Sequence, residues 1–184
     1  MTDGSGRSLT TSLEELIRDV PDYPSPGVLF KDITPLLADH DTFTATVQAL
    51  ADGGRDETGA TVVDKVLGME ARGFILAAPV ALALGAGFVP VRKAGKLPRE
   101  THAVSYALEY GEATLEIHTD AVAPGERVLL VDDVLATGGT VAATRELVEA
   151  CGGIVVGVAV LMELSALPGR DAVGPLPLTA LLTV

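Results

Sequence analysis

The stretch "VLLVDDVLATGGT", residues 128–140, joins an apolar run to two adjacent carboxylates and then to a turn of Thr and Gly. A continuous run of branched aliphatic residues predicts a strand that is buried on both faces. This strand is expected to end on Asp132 and Asp133. Because ligands of parallel sheets bind beyond the carboxyl ends of the strands, the stretch predicts a binding site.

The turn after the carboxylates has the composition of a phosphate-binding loop, and we call residues 136–140 the phosphate loop. Backbone N–H groups at the start of the following helix, predicted at 140–150, would surround an anion, and the helix dipole would favour it. The Walker-type phosphate loop requires a lysine that is absent here, so the phosphate would be held by amides and hydroxyls. The loop consists of Ala136, Thr137, Gly138, Gly139 and Thr140.

The two carboxylates suit the hydroxyl groups of a sugar rather than the phosphate itself. Asp132 and Asp133 would hold such hydroxyls directly or through Mg²⁺. A phosphate loop one turn away from vicinal carboxylates therefore indicates a sugar phosphate, and a ribose 5-phosphate fits well. The alternative is that both aspartates only place exposed charge at a strand end.

The rest of the chain alternates apolar strands with helices, which predicts an α/β fold with a mainly parallel central sheet flanked by helices. Alternating polarity up to His118 predicts a half-exposed hairpin. Ser12, followed three residues later by Glu15, predicts the N-cap of a helix. We expect one domain over residues 1–184, with strands at 61–69, 87–91, 126–133 and 154–162, helices at 41–51, 74–84 and 140–150, and a hairpin from 104 to 118.

Charge and composition restrict the possible partners. The net charge is −12, which argues against nucleic acid or an anionic membrane surface as a partner. The uncharged stretch at 74–91 is interrupted by Gly85 and Gly87, so its helix is too short to cross a membrane. A single cysteine, Cys151, and a start without an apolar signal segment predict a cytoplasmic protein.

Positive charge is concentrated after one predicted strand, in the segment that we call the basic loop, residues 92–99. This loop holds four of the thirteen positive side chains: Arg92, Lys93, Lys96 and Arg99. Arg72, in "EARG", follows another predicted strand and could bind pyrophosphate oxygens in a bidentate manner. The alternatives are a solvated basic loop and a buried structural Arg–Glu pair.

The same stretches resemble a known family. "VLLVDDVLATGGT" is similar to the phosphoribosyl-pyrophosphate (PRPP) binding motif of the type I phosphoribosyltransferases. "FKDIT", "RKAGKLP" and "LEYG" resemble the adenine-specific members of that family, and the likeness runs from about Tyr23 to the C-terminus. It implies the type I phosphoribosyltransferase fold, with an N-terminal hood at about 1–30 and a flexible active-site loop and hairpin at about 92–118.

The resemblance also implies a reaction: adenine and PRPP give AMP and pyrophosphate, in purine salvage. Mg²⁺ would be carried by PRPP near Asp132 and Asp133, with no direct side-chain ligand. A homodimer is implied, in which the basic loop reaches the neighbouring site. Arg72 and Lys93 would act on the pyrophosphate, and the PRPP site would comprise Arg72, Arg92, Lys93, Lys96, Asp132, Asp133 and residues 136–140.

Further roles come only from the resemblance. Glu109 would manage the proton of the purine, and Tyr110 would close over the site as a lid. A non-proline cis peptide is implied at Glu70-Ala71. Adenine would bind against Phe30 and Leu164, with backbone atoms of Leu29 and Lys31 reading its edge.

Two other functions stay open. One is the same chemistry on another purine, such as xanthine or hypoxanthine. The other is a PRPP-binding regulator that has lost catalysis. The presence of Glu109, Tyr110 and the whole basic loop favours an enzyme, because a sensor needs only the PRPP site.

Overall fold

The computed structural model describes residues 6–107 and 111–184 of the chain. These residues form two compact units, with the boundary between Ala49 and Leu50. The larger unit contains the sheet that was predicted from the apolar runs.

The N-terminal unit combines a small hairpin with short helices. Strands β1 (Arg18–Pro21) and β2 (Leu29–Asp32) pair in antiparallel fashion, with Phe30 opposite Val20. Around them lie α1 (Leu9–Leu16), α2 (Thr34–Ala38) and the start of α3 (His40–Ala51).

The predicted helix cap at Ser12 is wrong. Helix α1 begins four residues earlier, and the side chain of Ser8 accepts a hydrogen bond from the backbone N–H of Thr11. Ser12 lies inside the helix and is buried. The helix then ends at Leu16, because the next residues pair as strand β1.

In the larger unit, seven strands of the described residues form one sheet in the order β5-β6-β4-β3-β7-β8-β9. The pairs β3–β4, β3–β7, β7–β8 and β8–β9 are parallel, whereas β4–β6 and β5–β6 are antiparallel. The predicted mainly parallel sheet is therefore confirmed. The strands are β3 (Lys65–Met69), β4 (Gly87–Lys93), β5 (Thr101–Ala107), β6 (Glu112–His118), β7 (Arg127–Leu135), β8 (Ile154–Glu163) and β9 (Leu178–Thr183).

Helices cover both faces of this sheet. A Cβ atom on Gly68 of β3 would lie 2.7 Å from Ala77 of helix α4 (Gly73–Leu84). The neighbouring Leu67 belongs instead to the core cluster that includes Leu147 of helix α5 (Gly139–Ala150). Since successive residues of a strand point to opposite faces, α4 and α5 lie on opposite sides of β3. Two shorter helices complete the unit, a 3₁₀ turn at Asp52–Gly54 and α6 (Gly169–Val173).

Strand β7 is longer than predicted. It continues through Asp132 and Asp133 to Leu135, because β8 pairs with it as far as Leu135 opposite Glu163. Both aspartates therefore lie within the paired part of the strand, two to three residues before its end. The strand predicted at 61–69 is shorter and begins only at Lys65.

The parallel strands β3, β4, β7 and β8 end at the same edge of the sheet, which brings together the segments that follow them. These segments start at Glu70, Ala94, Ala136 and Leu164. Among the helices of the described residues, none combines the length and the apolar character needed to span a membrane.

Candidate active site

The phosphate loop connects β7 to α5 and is closely packed from behind. Gly138 caps α5 with a φ of 81°, in the left-handed region that glycine tolerates. A Cβ atom there would lie 2.3 Å from Cβ of Ala172 and 2.9 Å from the carbonyl oxygen of Gly169. Helix α6 thus supports the loop directly. The loop borders a small cavity of about 60 Å³, lined by residues 134–138 together with Thr140 and Val141.

Next to this loop, Asp133 forms an ion pair with Arg72. Oδ2 of Asp133 lies 2.7 Å from Nη2 of Arg72, and the Asp133 side chain is only 8% exposed. Arg72 stands immediately before α4, and this contact joins it to a carboxylate of β7.

Asp132 has a different environment from its neighbour. Its Oδ1 accepts a hydrogen bond of 2.9 Å from the backbone N–H of Asp133 and lies against Gly73, at the start of α4. Burial raises the pKa of Asp132 well above its usual range, and the negative charge of Asp133 raises it further. Arg72 pairs directly with Asp133 and offsets the charge of Asp132 only in part, so Asp132 is the less compensated carboxyl of the two.

Glu70 organises the basic loop. Its side chain, 8% exposed, accepts a 2.9 Å hydrogen bond from the backbone N–H of Lys93 and pairs with Arg92 and with Nζ of Lys96. Burial acts to raise the pKa of Glu70, but the Lys96 ammonium, the Lys93 N–H and the Arg92 guanidinium outweigh it and lower the pKa. Two of the predicted pyrophosphate-binding cations are therefore held at one carboxylate.

The cis peptide implied at Glu70-Ala71 is present in the structure. It lies between the glutamate that holds the basic loop and Arg72. The side chain of Lys93 is exposed, at the end of β4. The edge of the sheet thus brings together Arg72, Asp132, Asp133, the phosphate loop and the basic loop.

The residues predicted to bind adenine fall in two places. Leu29, Phe30 and Lys31 lie on β2 of the N-terminal unit, where Phe30 meets Tyr23 edge to face at 5.1 Å between ring centroids. Nζ of Lys31 lies 2.6 Å from Asp19. Leu164 lies in the larger unit, directly after β8, and its N–H donates to the carbonyl of Leu135. The sandwich of adenine between Phe30 and Leu164 stays a prediction.

Glu109 and Tyr110 lie outside the described residues, so their predicted roles as proton carrier and lid stay predictions. In the sequence they fall between strand β5, which ends at Ala107, and strand β6, which begins at Glu112.

Three structural features of the site were missed from the sequence. They are the Glu70 side chain, the contact of Tyr106 with Thr140 at 3.3 Å, and the pair of Glu163 with Arg170 at 2.6 Å. The alternation of β5 could have indicated that Tyr106 points inward. The pair between β8 and α6 has no comparable sequence signal.

Within residues 6–107 and 111–184, no three His, Cys, Asp or Glu side chains converge as a set of metal ligands. Asp132 and Asp133, on the strand that leads into the phosphate loop, carry carboxylate oxygens that suit a hard cation, and Asp133 already faces Arg72.

Comparison with known proteins fits this geometry. The family described as the phosphoribosyl transferase domain matches residues 37–172. An adenine phosphoribosyltransferase from a Nocardioides species is 75% identical over 169 residues, which are 92% of this chain and 91% of that protein. The chain belongs to the adenine phosphoribosyltransferase family.

Crystal structures from this family have the same fold. The adenine phosphoribosyltransferase of Rhodothermus marinus is 48% identical with a TM-score of 0.89, and the match covers 96% of this chain and 98% of that one. The Saccharomyces cerevisiae enzyme, crystallised with adenine and an imino-altritol bisphosphate, is 38% identical with a TM-score of 0.88, over 95% of this chain and 98% of that one. The predicted type I phosphoribosyltransferase fold is confirmed.

Proposed function

We propose that this chain transfers the 5-phosphoribosyl group of PRPP to adenine, giving AMP and pyrophosphate. The observation that carries the proposal is that the phosphate loop, Asp132, Asp133 and Arg72 lie at the same edge of the sheet. The chain is also 75% identical to an adenine phosphoribosyltransferase. The enzyme's main contributions are positioning of the two substrates and stabilisation of charge.

The ribose phosphate is assigned to β7 and the loop after it. Amides and hydroxyls of residues 136–140 hold the 5-phosphate at the start of α5. Asp132 and Asp133 accept hydrogen bonds from the ribose hydroxyls, and these bonds relieve the uncompensated charge of Asp132. Mg²⁺ carried by PRPP near Asp132 and Asp133 would supply neutralisation of negative charge on the pyrophosphate.

The pyrophosphate is assigned to Arg72 and the basic loop. The side chain of Lys93 is exposed, while Arg92 and Lys96 are held at Glu70. An anionic ligand beside them would compete with the Glu70 carboxylate for these two cations. Glu70 thus keeps the basic loop in place before PRPP binds, and it gives up Arg92 and Lys96 to the pyrophosphate when PRPP is bound.

Base recognition is assigned to four residues and to the segment that carries Glu109. Phe30 and Leu164 enclose the adenine ring, and the backbone of Leu29 and Lys31 reads its edge. Glu109 carries the proton of the base, and Tyr110 closes the site. The support for these assignments is the match of "FKDIT" and "LEYG" to the family motifs.

A homodimer is part of the proposal. The outer side of α4 is apolar, and it exposes Ile75 and Leu82, which lie seven residues apart on one face. Leu82 is 83% exposed, and Phe88 on β4 is also exposed. Such a patch favours burial against a second copy, from which the basic loop would reach the neighbouring site.

Sedimentation equilibrium should give twice the chain mass of 18.9 kDa, and a monomer mass would contradict the dimer.

The location proposed for the reaction is the cytoplasm, where the single buried thiol of Cys151 would stay reduced.

The first test is pyrophosphate release from PRPP and Mg²⁺ with adenine, hypoxanthine, guanine or xanthine offered singly. Turnover is expected with adenine. Arg72→Ala and Glu109→Ala should each lower kcat/KM by about 100-fold, since each removes a group that acts on developing charge. Arg145→Ala, which removes a surface pair with Glu149 on α5, is the matched control.

Other outcomes would change the assignment in defined ways. Turnover with a different purine would keep the chemistry and overturn the adenine specificity. PRPP binding without turnover on any base would indicate a regulator and overturn the enzyme assignment.

A further inference from the structure

Tyr106 of β5 lies against the phosphate loop. Its phenolic oxygen is 3.3 Å from Oγ1 of Thr140. Its ring covers Gly139, where an added Cβ atom would lie 2.8 Å from Cδ2 of the tyrosine. Tyr106 therefore contacts two of the residues to which 5-phosphate binding is assigned.

Tyr106 differs from its neighbour Ser105 in the side of the hairpin that it faces. In the described sheet, β5 is an edge strand whose ladder partner is β6. Ser105 is exposed and its hydroxyl bonds to Thr114 of β6 at 2.8 Å, whereas Tyr106 turns inward and packs against the core cluster. One residue after Tyr106 the strand ends, and Glu109 follows three positions along the sequence.

Hydrogen-bond donors and acceptors set the direction of this contact when a phosphate is bound. A phosphate oxygen without a proton only accepts hydrogen bonds, so the single hydroxyl proton of Thr140 has to point to the phosphate. The oxygen of Thr140 then accepts from the Tyr106 hydroxyl, and each bond of such a chain strengthens the other.

We propose that Tyr106 is a positioning residue for the 5-phosphate. Its ring fixes the backbone at Gly139, and its hydroxyl orients the Thr140 hydroxyl for donation to the phosphate. This inference rests on the proposed function for the identity of the phosphate.

The test compares Tyr106→Phe, which keeps the ring and removes the hydroxyl, with Ser105→Ala, which removes the neighbouring hydroxyl that bonds within the hairpin. Calorimetric titrations with AMP and with adenosine separate the phosphate contribution from the rest of the ligand. Tyr106→Phe should weaken AMP binding about fivefold to tenfold and adenosine binding less than twofold. In steady-state kinetics the KM for PRPP should rise by a similar factor, with the KM for adenine nearly unchanged.

Ser105→Ala should match the wild type in both titrations, and both variants should unfold near the wild-type temperature. The proposal is overturned if Tyr106→Phe weakens AMP and adenosine equally, leaves AMP binding unchanged, or is reproduced by Ser105→Ala. In that last case the stability of the hairpin would be the cause.

The outcome is separable from that of the proposed function. If the wild type binds AMP but releases no pyrophosphate with adenine, the enzyme assignment fails, while the AMP titrations still decide the role of Tyr106. If the wild type turns over adenine and Tyr106→Phe has the wild-type affinity for AMP, the enzyme assignment stands and the positioning role is wrong.

Discussion

The phosphate loop follows β7 and the basic loop lies at the end of β4, the two strands that flank β3 in the sheet. The two loops are nevertheless stabilised in different ways. In the phosphate loop, Gly138 is enclosed by α6 and Gly139 by the ring of Tyr106. In the basic loop, Gly95 has a similar positive φ of 79°, but an added Cβ atom would meet nothing within 4 Å. One loop is fixed by tertiary packing, and the other is held by ion pairs, those of Arg92 and Lys96 with Glu70 and that of Arg99 with Asp120.

This difference suits the two ends of the proposed ligand. A 5-phosphate that stays bound to the sugar throughout the reaction is best held by a rigid set of amides, which is already formed without ligand. A pyrophosphate that leaves is better held by long cationic side chains, since these can exchange Glu70 for the ligand and then return. The comparison predicts that backbone changes will be costly in the phosphate loop and tolerated in the basic loop.

The largest effect is expected from Gly138→Ala. The new Cβ atom would lie 2.3 Å from Ala172 and would also require a left-handed backbone, so the loop or α6 has to move. We expect a loss of about 3 kcal/mol in the free energy of unfolding and a rise in the KM for PRPP of at least about 100-fold. Urea denaturation and steady-state kinetics measure the two effects.

Gly95→Ala is the matched control, because it shares the positive φ but has open space around the new methyl group. It should cost only about 1 kcal/mol of stability, from the backbone conformation alone. Equal losses in the two variants would mean that φ, and not packing, governs both loops, and the comparison would fail.

The sequence predicts some parts of this site and not others, because some of the interactions join residues close in the sequence and others join residues far apart in it. The phosphate loop, Asp132 and Asp133 are close in sequence, and their chemistry is set by a strand, a turn and a helix start that each have local signals. The partner of Arg72 is 61 positions away along the chain, at Asp133, so no local pattern identifies it. The same holds for Tyr106 and Thr140, which are 34 positions apart.

Local signals also fail where two residues compete for the same role. Ser8 and Ser12 are both suited to cap a helix, and a glutamate three residues after Ser12 favoured the wrong one. Ser8 caps the helix, and Ser12 is buried inside it. Likewise, Asp132 and Asp133 look equivalent in the sequence, whereas in the structure Asp133 pairs with Arg72 and Asp132 lies against Gly73.

A smaller effect is expected from Arg170→Met, which tests how α6 is held behind the phosphate loop. Arg170 binds Glu163 at the end of β8 through two contacts, Nε–Oε1 at 2.6 Å and Nη2–Oε2 at 2.7 Å. The Glu163 side chain is only 5% exposed, so the variant leaves a buried carboxylate without its ion-pair partner. The free energy of unfolding should fall by about 2 kcal/mol, and the KM for PRPP should rise severalfold because α6 supports Gly138.

The variant of the basic loop to be compared with Arg170→Met is Arg99→Met, which removes an ion pair with Asp120. Both side chains of that pair are 61% exposed, so its loss should leave the free energy of unfolding nearly unchanged. Thermal unfolding of both variants checks the difference. A loss in Arg99→Met as large as in Arg170→Met would show that burial of the acidic partner is not what matters.

A further test of the comparison is the pH dependence of stability at two carboxyl groups, one beside each loop. The pKa of Glu70 is lowered by its cationic partners, so its contribution to stability is present above its unfolded pKa of about 4.3 and is lost as the pH falls through the folded value. Glu70→Gln should therefore lower stability at pH 7, by up to about 1 kcal/mol, and the deficit should shrink toward pH 3.

Asp132 should behave in the opposite way. Burial and the charge of Asp133 raise its pKa, so the ionised group opposes folding at neutral pH, and stability declines as the pH rises from the unfolded pKa of about 3.9 toward the folded value. Asp132→Asn keeps the oxygen that accepts from the Asp133 N–H, and it should raise the free energy of unfolding at pH 7 while abolishing most of the activity. The gain should vanish near pH 3, in urea titrations made at half-unit steps of pH. A variant less stable than the wild type at pH 7 would mean that the charge of Asp132 is already compensated in the free protein, and that ribose hydroxyls are not needed to relieve it.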